Sequence, residues 1–198
     1  RAVRFLGKRE VFDAPIVGQV ARALGGIRVD RATGSDEPLM AAASALASGE
    51  LVVILPQGTI PRGRAFFDPV LTGRWGAARL AALAQVPVIP LGLWGTEKVW
   101  PRSERAPRLW NVTHPPTVRV RIGDPIDLKL RSPAADTRRI MAAISELLPP
   151  EARQPHDPTP EELALTFPPG HDGVDAGETG RRPGEDSVQI DTSPDEAT

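Results

Sequence analysis

Hydrophobic and polar residues follow strand-like and helix-like periods in turn along the first 148 residues. Short apolar or alternating runs predict strands, and longer Ala-rich stretches bounded by proline or glycine predict helices. The predicted strands are Val3–Leu6, Ile27–Asp30, Leu51–Leu55, Val88–Leu93 and Thr117–Ile122. The predicted helices are Pro15–Leu24, Asp36–Ser48, Gly73–Ala84 and Ser132–Leu148. This alternation indicates an α/β fold with a mostly parallel sheet flanked by helices.

Two kinds of local signal make these predictions specific. The helix after residue 35 has Asp36 as a candidate N-cap, Pro38 in its first turn and Gly49 at its end. Leu51–Leu55 is a continuous apolar run of strand length, and Val88–Leu93 has the same character. Such runs are typical of strands that are covered on both faces.

The periodic pattern ends near residue 148. From Pro149 onward the chain is rich in Pro, Gly, Asp and Glu, and its apolar residues are sparse. A segment of this composition buries too little surface to offset its conformational entropy. We therefore expect one domain at residues 1–148 and a disordered acidic tail at residues 149–198, with a helical turn at Glu161–Leu165 as its one ordered piece.

Charge is distributed unevenly over a chain whose net charge is −1. Residues 1–150 carry 21 Lys and Arg against 13 Asp and Glu, a net charge of +8, and residues 151–198 carry 3 against 12, a net charge of −9. A basic domain indicates an anionic partner, such as a phosphate compound, nucleic acid or an anionic membrane surface. No run approaches 18 consecutive apolar residues, so we expect no membrane span within this sequence.

Residue types exclude several chemistries. The chain has no cysteine, which excludes disulfides, thiolate zinc sites and a cysteine nucleophile. His114, His156 and His171 lack the close spacing of a metal site. We therefore expect no bound metal.

Ligands of open α/β sheets bind beyond the carboxyl ends of the strands, and two strand ends here carry suitable residues. Arg31 follows the strand that begins at Ile27. The loop after Leu55 offers Gln57, Gly58, Thr59 and Arg62. Glycine lets the backbone approach an anion closely, and arginine binds phosphate through paired hydrogen bonds. The glycine spacing is not that of a nucleotide-binding P-loop.

Each of these residues also has a simpler structural interpretation. Arg31 has Asp30 and Asp36 nearby in the sequence as surface ion-pair partners, and Gly58–Thr59 is also compatible with an ordinary turn. The segment Trp94–Trp110 combines tryptophans with Arg102, Arg105 and Arg108. Such a composition suits a membrane interface, and it suits equally a solvated loop whose tryptophans cap the core.

In combination, the blocks resemble those of a known family, the glycerolipid acyltransferases of the 1-acylglycerol-3-phosphate acyltransferase type. The blocks are Lys8–Phe12, Gly26–Arg31 (Gly-x-x-x-Asp-Arg), Leu55–Thr59 (Gln-Gly-Thr) and Val86–Gly92 (Val-Pro-x-x-Pro). They occur in the family's order and at plausible spacing, and the resemblance covers about residues 1–130.

This resemblance implies transfer of a fatty acyl group from acyl-CoA or acyl carrier protein to a lysophospholipid hydroxyl in phospholipid biosynthesis. It implies no cofactor, and peripheral contact with an anionic membrane at its cytoplasmic face. Arg31 and Arg62 would hold the phosphate, Gln57, Gly58 and Thr59 would bind the glycerol phosphate part, and Val86–Leu91 would shape the acyl side. The family's general base is the His of an upstream His-x-x-x-x-Asp motif.

The sequence departs from the family pattern in two ways. It contains no His-x-x-x-x-Asp motif, and His156 followed by Glu161 is a superficial match on the wrong side of the other blocks. We therefore expect that the chain is truncated upstream of Arg1 and is inactive by itself. Gln57 also replaces the family's Glu, and Ile60 stands where an arginine is usual, with Arg62 two residues later.

Two other functions stay open on the sequence alone. One is a non-catalytic lipid- or membrane-binding module that kept the acyltransferase fold and lost its base; the sequence upstream of Arg1 separates this reading from the enzyme. The other is nucleic-acid binding by the basic domain, although the sequence has no helix-turn-helix signature and no aromatic-basic RNA motif.

Overall fold

A computed structural model of the protein describes residues 1–13, 15, 17–29, 36–105, 107 and 113–171. The strands in these residues are β1 (Val3–Lys8), β2 (Ile27–Val29), β3 (Leu51–Val53), β4 (Leu91–Trp94) and β5 (Arg119–Ile122). The α-helices are α1 (Arg9–Asp13), α2 (Val17–Ala23), α3 (Glu37–Ala47), α4 (Gly76–Ala84), α5 (Thr96–Val99), α6 (Pro133–Leu147) and α7 (Pro160–Leu165). Short 3-10 helices lie at Gly63–Phe66 and Pro150–Arg153.

The strands form a parallel sheet and an antiparallel pair. β1 lies between β2 and β3 and runs parallel to both, with Leu6 opposite Ile27 and Phe5 opposite Val53. β4 and β5 are antiparallel, with Leu93 opposite Val120. The predicted α/β class, a parallel sheet flanked by helices, is thus confirmed.

Helices α3, α4 and α6 form one layer over the strands. α3 packs against β1, β2 and β3, α6 packs against β4, and α4 contacts both of these helices. Small residues permit this close packing, since Ala42 and Ala78 are almost completely buried and a Cβ on Gly92 would lie 2.7 Å from the Cβ of Leu147. Much of the core of the described chain lies between this helical layer and the strands, and further buried residues are Phe12 of α1, which contacts β1 and β2, and Ala21 of α2.

The described residues leave one face of β3 and of β4 largely uncovered, so the prediction that these two strands are buried on both faces is wrong. Leu51, Val53, Leu91 and Leu93 are each close to half exposed, while Gly92 between the last two is buried against α6. The reason is the arrangement of the layers, because α3 and α6 cover the strands from one side. An apolar run therefore does not by itself show that both faces are packed.

Proline and glycine explain where the observed elements differ from the predicted ones. β4 begins at Leu91 instead of Val88, and Pro90, directly before it, has no N–H to donate to a sheet. α3 ends as predicted before Gly49, which has a φ of 78°. Asp36 precedes α3 but makes no capping bond, because its carboxylate accepts a 2.9 Å hydrogen bond from Arg79 of α4.

The structure also differs from the predicted boundary at residue 149, because residues 150–171 contain folded elements. Thr159 and Glu162 form a complete capping box at the start of α7. After α7, Thr166 and Phe167 are buried, and the Gly63 amide donates to Thr166 Oγ1 at 2.8 Å. Residues 150–171 of the predicted tail are therefore ordered and pack on the domain, and this segment is called the strap below. Residues 172–198 lie outside the described residues.

The N-terminal half of β1 is tied to the turn before β3 by an ion pair. Arg4 Nε and Nη2 donate to the two carboxylate oxygens of Glu50 at 2.5 and 2.9 Å. These hydrogen bonds, together with the positive charge of Arg4, hold the pKa of Glu50 below its ordinary value.

None of the helices in the described ranges has the length and apolarity that crossing a bilayer requires.

Thr166→Val should destabilise the fold, because it removes the acceptor of the buried Gly63 N–H while keeping the side-chain volume. We expect a loss of about 1–3 kcal/mol in the free energy of unfolding. Urea denaturation monitored by circular dichroism measures this change. Thr117→Val, at an exposed position, is the control and should stay within about 0.5 kcal/mol. Equal stability of the two variants would contradict the assigned role of Thr166.

Glu50→Gln should remove a pH-dependent part of the stability. A carboxyl whose pKa is lowered on folding stabilises the native state above its unfolded pKa, and this contribution is lost as the pH falls through the native pKa. The stability difference between the wild type and E50Q should therefore be largest above about pH 5 and shrink toward pH 3. Chemical denaturation at several pH values tests this, with Glu146→Gln on the exposed side of α6 as control. A difference that is constant with pH would refute it.

Candidate functional site

The residues after β3 form a loop, Leu55–Arg64, that begins with a tight turn. The Gly58 amide donates to the Leu55 carbonyl at 3.0 Å, and Pro56 occupies the second position of this turn. Gly58 has a φ of 68°, in the left-handed region that glycine adopts without strain. The turn leaves Gln57 and Thr59 half-buried on either side of Gly58.

Three other segments of the chain bind the backbone of this loop. Arg74 N donates to Pro56 O at 2.8 Å, Arg102 Nη1 donates to Ile60 O at 3.1 Å, and Gly63 N donates to Thr166 Oγ1 at 2.8 Å. A further exposed ion pair joins Arg64 to Asp157 at 2.9 Å. The loop therefore has a shape that is set by the surrounding fold.

The topology brings the two predicted ligand-bearing strand ends to the same edge of the sheet. β2 and β3 both run parallel to β1, which lies between them, so their carboxyl ends point the same way. Strands that flank a common neighbour are about 10 Å apart. Asp30 and Arg31, which follow β2, lie outside the described residues, so the role of Arg31 stays a prediction.

Two positively charged side chains, those of Arg62 and Arg102, lie at the loop. Arg62 is exposed on extended backbone at the start of the 3-10 helix Gly63–Phe66. Burial lowers the pKa of Arg102, and the nearby positive charge of Arg62 lowers it further. Within the described residues, no carboxylate forms an ion pair with either arginine. Two neighbouring guanidinium groups that have no counter-ion among the described residues are suited to binding an anion.

In the sequence, Arg102 belongs to the tryptophan-rich segment Trp94–Trp110, and its contact with the loop was not predicted. Arg102 and Ile60 are 42 residues apart, and no local sequence pattern predicts the contact between them. Trp94 of that segment is half-buried, whereas Trp100 is 54% exposed and its indole N–H donates to the Glu104 carbonyl. Arg108 and Trp110 lie outside the described residues.

His156 is bound to a carboxylate, but not to that of Glu161. Its Nε2 lies 3.0 Å from Glu162 Oε2, which also accepts from the Thr159 amide in the cap of α7. The Thr159 amide, and after it His156, lowers the pKa of Glu162. The imidazole packs against Phe67, with ring centroids 5.2 Å apart. This pair supports a helix cap, which agrees with setting His156 aside as a match to the family motif.

A separate groove of about 260 Å³ lies between α3 and the sheet and is lined in part by Arg4, Ser44 and Glu50. Glu50 directly precedes β3, so the groove lies near the opposite edge of the sheet from the Leu55–Arg64 loop. Its charged residues neutralise each other in the Arg4–Glu50 ion pair. The loop is therefore the better candidate for binding an anion.

Mycobacterial proteins are similar in sequence to part of this chain. An uncharacterized protein of Mycobacterium tuberculosis is 33% identical over 104 residues, and one of Mycobacterium leprae is 32% identical over 104 residues. Each match covers 51% of this chain, and the chain spans only about a quarter of these curated relatives, 27% and 26% of their lengths. The functions of whole relatives therefore do not transfer directly.

A solved structure shares the fold. The crystal structure of the 1-acyl-sn-glycerophosphate (LPA) acyltransferase PlsC from Thermotoga maritima superposes with a TM-score of 0.51 at 21% identity. The superposition covers 73% of this chain and 55% of that chain. At this identity the likeness supports the α/β architecture described above.

The N-terminal part of the chain matches a family model. Residues 1–94 match the family model described as Acyltransferase, and this range includes every block on which the resemblance to the glycerolipid acyltransferases was based. This match over residues 1–94 confirms that resemblance.

Proposed function

We propose that the protein transfers a fatty acyl group from acyl-CoA or acyl carrier protein to the hydroxyl of a lysophospholipid such as 1-acylglycerol-3-phosphate, in phospholipid biosynthesis. The observation that carries this proposal is the Leu55–Arg64 loop, which presents Gly58 and Arg62 at the carboxyl edge of the parallel sheet, where ligands of open α/β sheets bind. Arg62 has no ion-pair partner among the described residues, and the loop lies within the range that matches the Acyltransferase family model. The solved structure that shares the fold is a 1-acyl-sn-glycerophosphate (LPA) acyltransferase, which agrees with this proposal.

In the proposed reaction, a base removes the proton from the lysophospholipid hydroxyl, and the oxygen attacks the thioester carbonyl. The carbon–sulfur bond then breaks and the thiol leaves with a proton. The base belongs to the His-x-x-x-x-Asp motif that the family resemblance implies upstream. The reaction needs no metal or prosthetic group in this proposal.

The residues of this chain bind and orient the acceptor. Arg31 and Arg62 hold the phosphate, while the Gln57 amide and the Thr59 hydroxyl hydrogen-bond the glycerol part. Because the loop backbone is fixed from three sides, the acceptor hydroxyl is presented in one orientation, which is how positioning lowers a barrier. Gln57 is neutral where the family has Glu, so the site keeps a higher positive charge for the phosphate.

We further propose peripheral contact with an anionic membrane at its cytoplasmic face. Large apolar side chains project into solvent along the loop and the segment that binds it: Leu55 is 75% exposed, Ile60 58% and Trp100 54%. An apolar rim beside unpaired arginines suits a lipid surface, where rings and aliphatic groups enter the headgroup region and cations meet anionic lipid.

A second candidate is a non-catalytic lipid- or membrane-binding module with the same fold. It applies if the protein lacks a His-x-x-x-x-Asp motif, because the fold could then bind lipid without a general base. The sequence of the gene upstream of Arg1 separates the candidates. The motif within about 20 residues upstream supports the enzyme, and its absence there supports the binding module.

Arg31→Ala in the full-length protein should lower kcat/KM for 1-acylglycerol-3-phosphate at least tenfold, because a charged hydrogen bond to the phosphate is lost. A tenfold loss corresponds to about 1.4 kcal/mol of transition-state stabilisation. Release of coenzyme A or carrier thiol measures the rate. Arg138→Ala on the exposed side of α6 is the control. Unchanged kinetics of R31A would remove Arg31 from the site.

The double variant I60S/W100S should bind anionic phospholipid vesicles at least tenfold more weakly than the wild type, since two exposed apolar groups no longer enter the lipid. This corresponds to about 1.4 kcal/mol or more, below the full burial of two such side chains. Vesicle sedimentation measures the partition. The control L24S/M40S changes Leu24, which follows α2, and Met40, which lies in α3; both are exposed to a similar extent as Ile60 and Trp100. A similar loss in both double variants would argue against a membrane contact at the loop.

A further inference from the structure

Arg102 lies beyond residues 1–94, the range that matches the family model, yet it reaches the candidate site. It sits in a turn after α5, in which the Glu104 amide donates to the Pro101 carbonyl at 3.0 Å. Pro101 is buried, which fixes the turn against the domain. From there the guanidinium extends to the Ile60 carbonyl, two residues before Arg62.

Only some of the hydrogen-bond donors of the Arg102 guanidinium have acceptors among the described residues. Nη1 donates to Ile60 O, and no other acceptor in the described ranges binds this side chain. An arginine has five N–H donors, so most of them have no protein partner there. Nε is buried without an acceptor, which leaves part of the charge poorly solvated.

Arg62, two residues beyond the Ile60 carbonyl that Arg102 binds, adds a second positive charge that is near enough to lower the pKa of Arg102. Like charges that are close together at a partly buried site disfavour the empty site, and a bound anion relieves both the repulsion and the missing hydrogen bonds. An anion with two charges relieves them more than an anion with one. Phosphate monoesters carry nearly two negative charges at pH 7, because their second pKa is about 6, whereas diesters carry one.

We propose that Arg102 is a specificity-determining phosphate ligand that acts with Arg62 and selects a phosphomonoester headgroup over a phosphodiester headgroup. The proposal rests on the proposed function, because it assumes that the loop binds the phosphate of the acyl acceptor. It assigns the selection to a pair of arginines that come from different segments of the chain, one of them outside the family-matched range.

Isothermal titration calorimetry of the full-length protein tests this with two probes, sn-glycerol 3-phosphate as the monoester and glycerophosphocholine as the diester. The wild type should bind the monoester more tightly. Arg102→Gln should weaken monoester binding at least tenfold and diester binding less than threefold. Arg138→Gln, a charge loss of the same kind on the exposed side of α6, should change neither affinity.

The pH profile separates a ligand from a merely structural residue. Monoester affinity of the wild type should rise between about pH 5 and 7, as the second proton leaves the phosphate. In R102Q this rise should flatten, while a structural role would weaken both probes equally and leave the slope unchanged. Arg102→Lys keeps the charge but loses the planar fork, so its monoester affinity should lie between those of the wild type and R102Q.

Thermal melting of each variant shows whether the variant is folded. If R102Q does not fold, the comparison of R102K with the wild type decides: a reduced preference for the monoester supports the proposal, and an unchanged preference overturns it. Equal affinity of the wild type for both probes, or no monoester binding by a protein that transfers acyl groups, also overturns the Arg102 assignment and leaves the proposed function standing. A protein that binds neither probe and transfers no acyl group overturns both.

Discussion

The candidate site depends on the way the rest of the fold holds the backbone of the Leu55–Arg64 loop. Hydrogen bonds from Arg74 and Arg102 to loop carbonyls, and from a loop amide to Thr166, come from three separate segments. They bind main-chain atoms, so the loop keeps its path largely independently of the side chains it presents. Replacement of Glu by Gln at position 57, or a shift of an arginine from position 60 to 62, can therefore change the chemistry of the site without rebuilding its scaffold.

Much of the fold could be predicted because local signals and tertiary packing agree. Pro38 and Gly49 bound α3 as expected, and alternating or apolar runs located β1, β2, β3 and β5. Other features depend on the whole fold. The short α1 has no distinctive cap in the sequence, and the open face of β3 and β4 reflects which side the helices occupy, which residue types alone do not show. The ordered segment after residue 149 depends on a capping box and on one buried aromatic residue, Phe167.

The candidate site was predictable to a different extent. Gln57, Gly58, Thr59 and Arg62 are consecutive or nearly so, and one loop brings them together because a strand end and a left-handed glycine set its course. The sequence did not reveal Arg102, since its contact spans 42 residues and arises from the packing of a turn after α5. Long-range polar contacts of this kind leave no periodic trace along the chain, whereas motif residues do.

The strap formed by residues 150–171 has a practical consequence for how this domain is delimited. Asp157 binds the side chain of Arg64, and Thr166 binds the backbone beside it. A shorter fragment designed to stop at residue 148, where the periodic pattern ends, would retain every family block and still lose two supports of the Leu55–Arg64 loop. Ligand affinities measured on such a fragment would describe a loosened loop, so expression boundaries are best placed beyond His171.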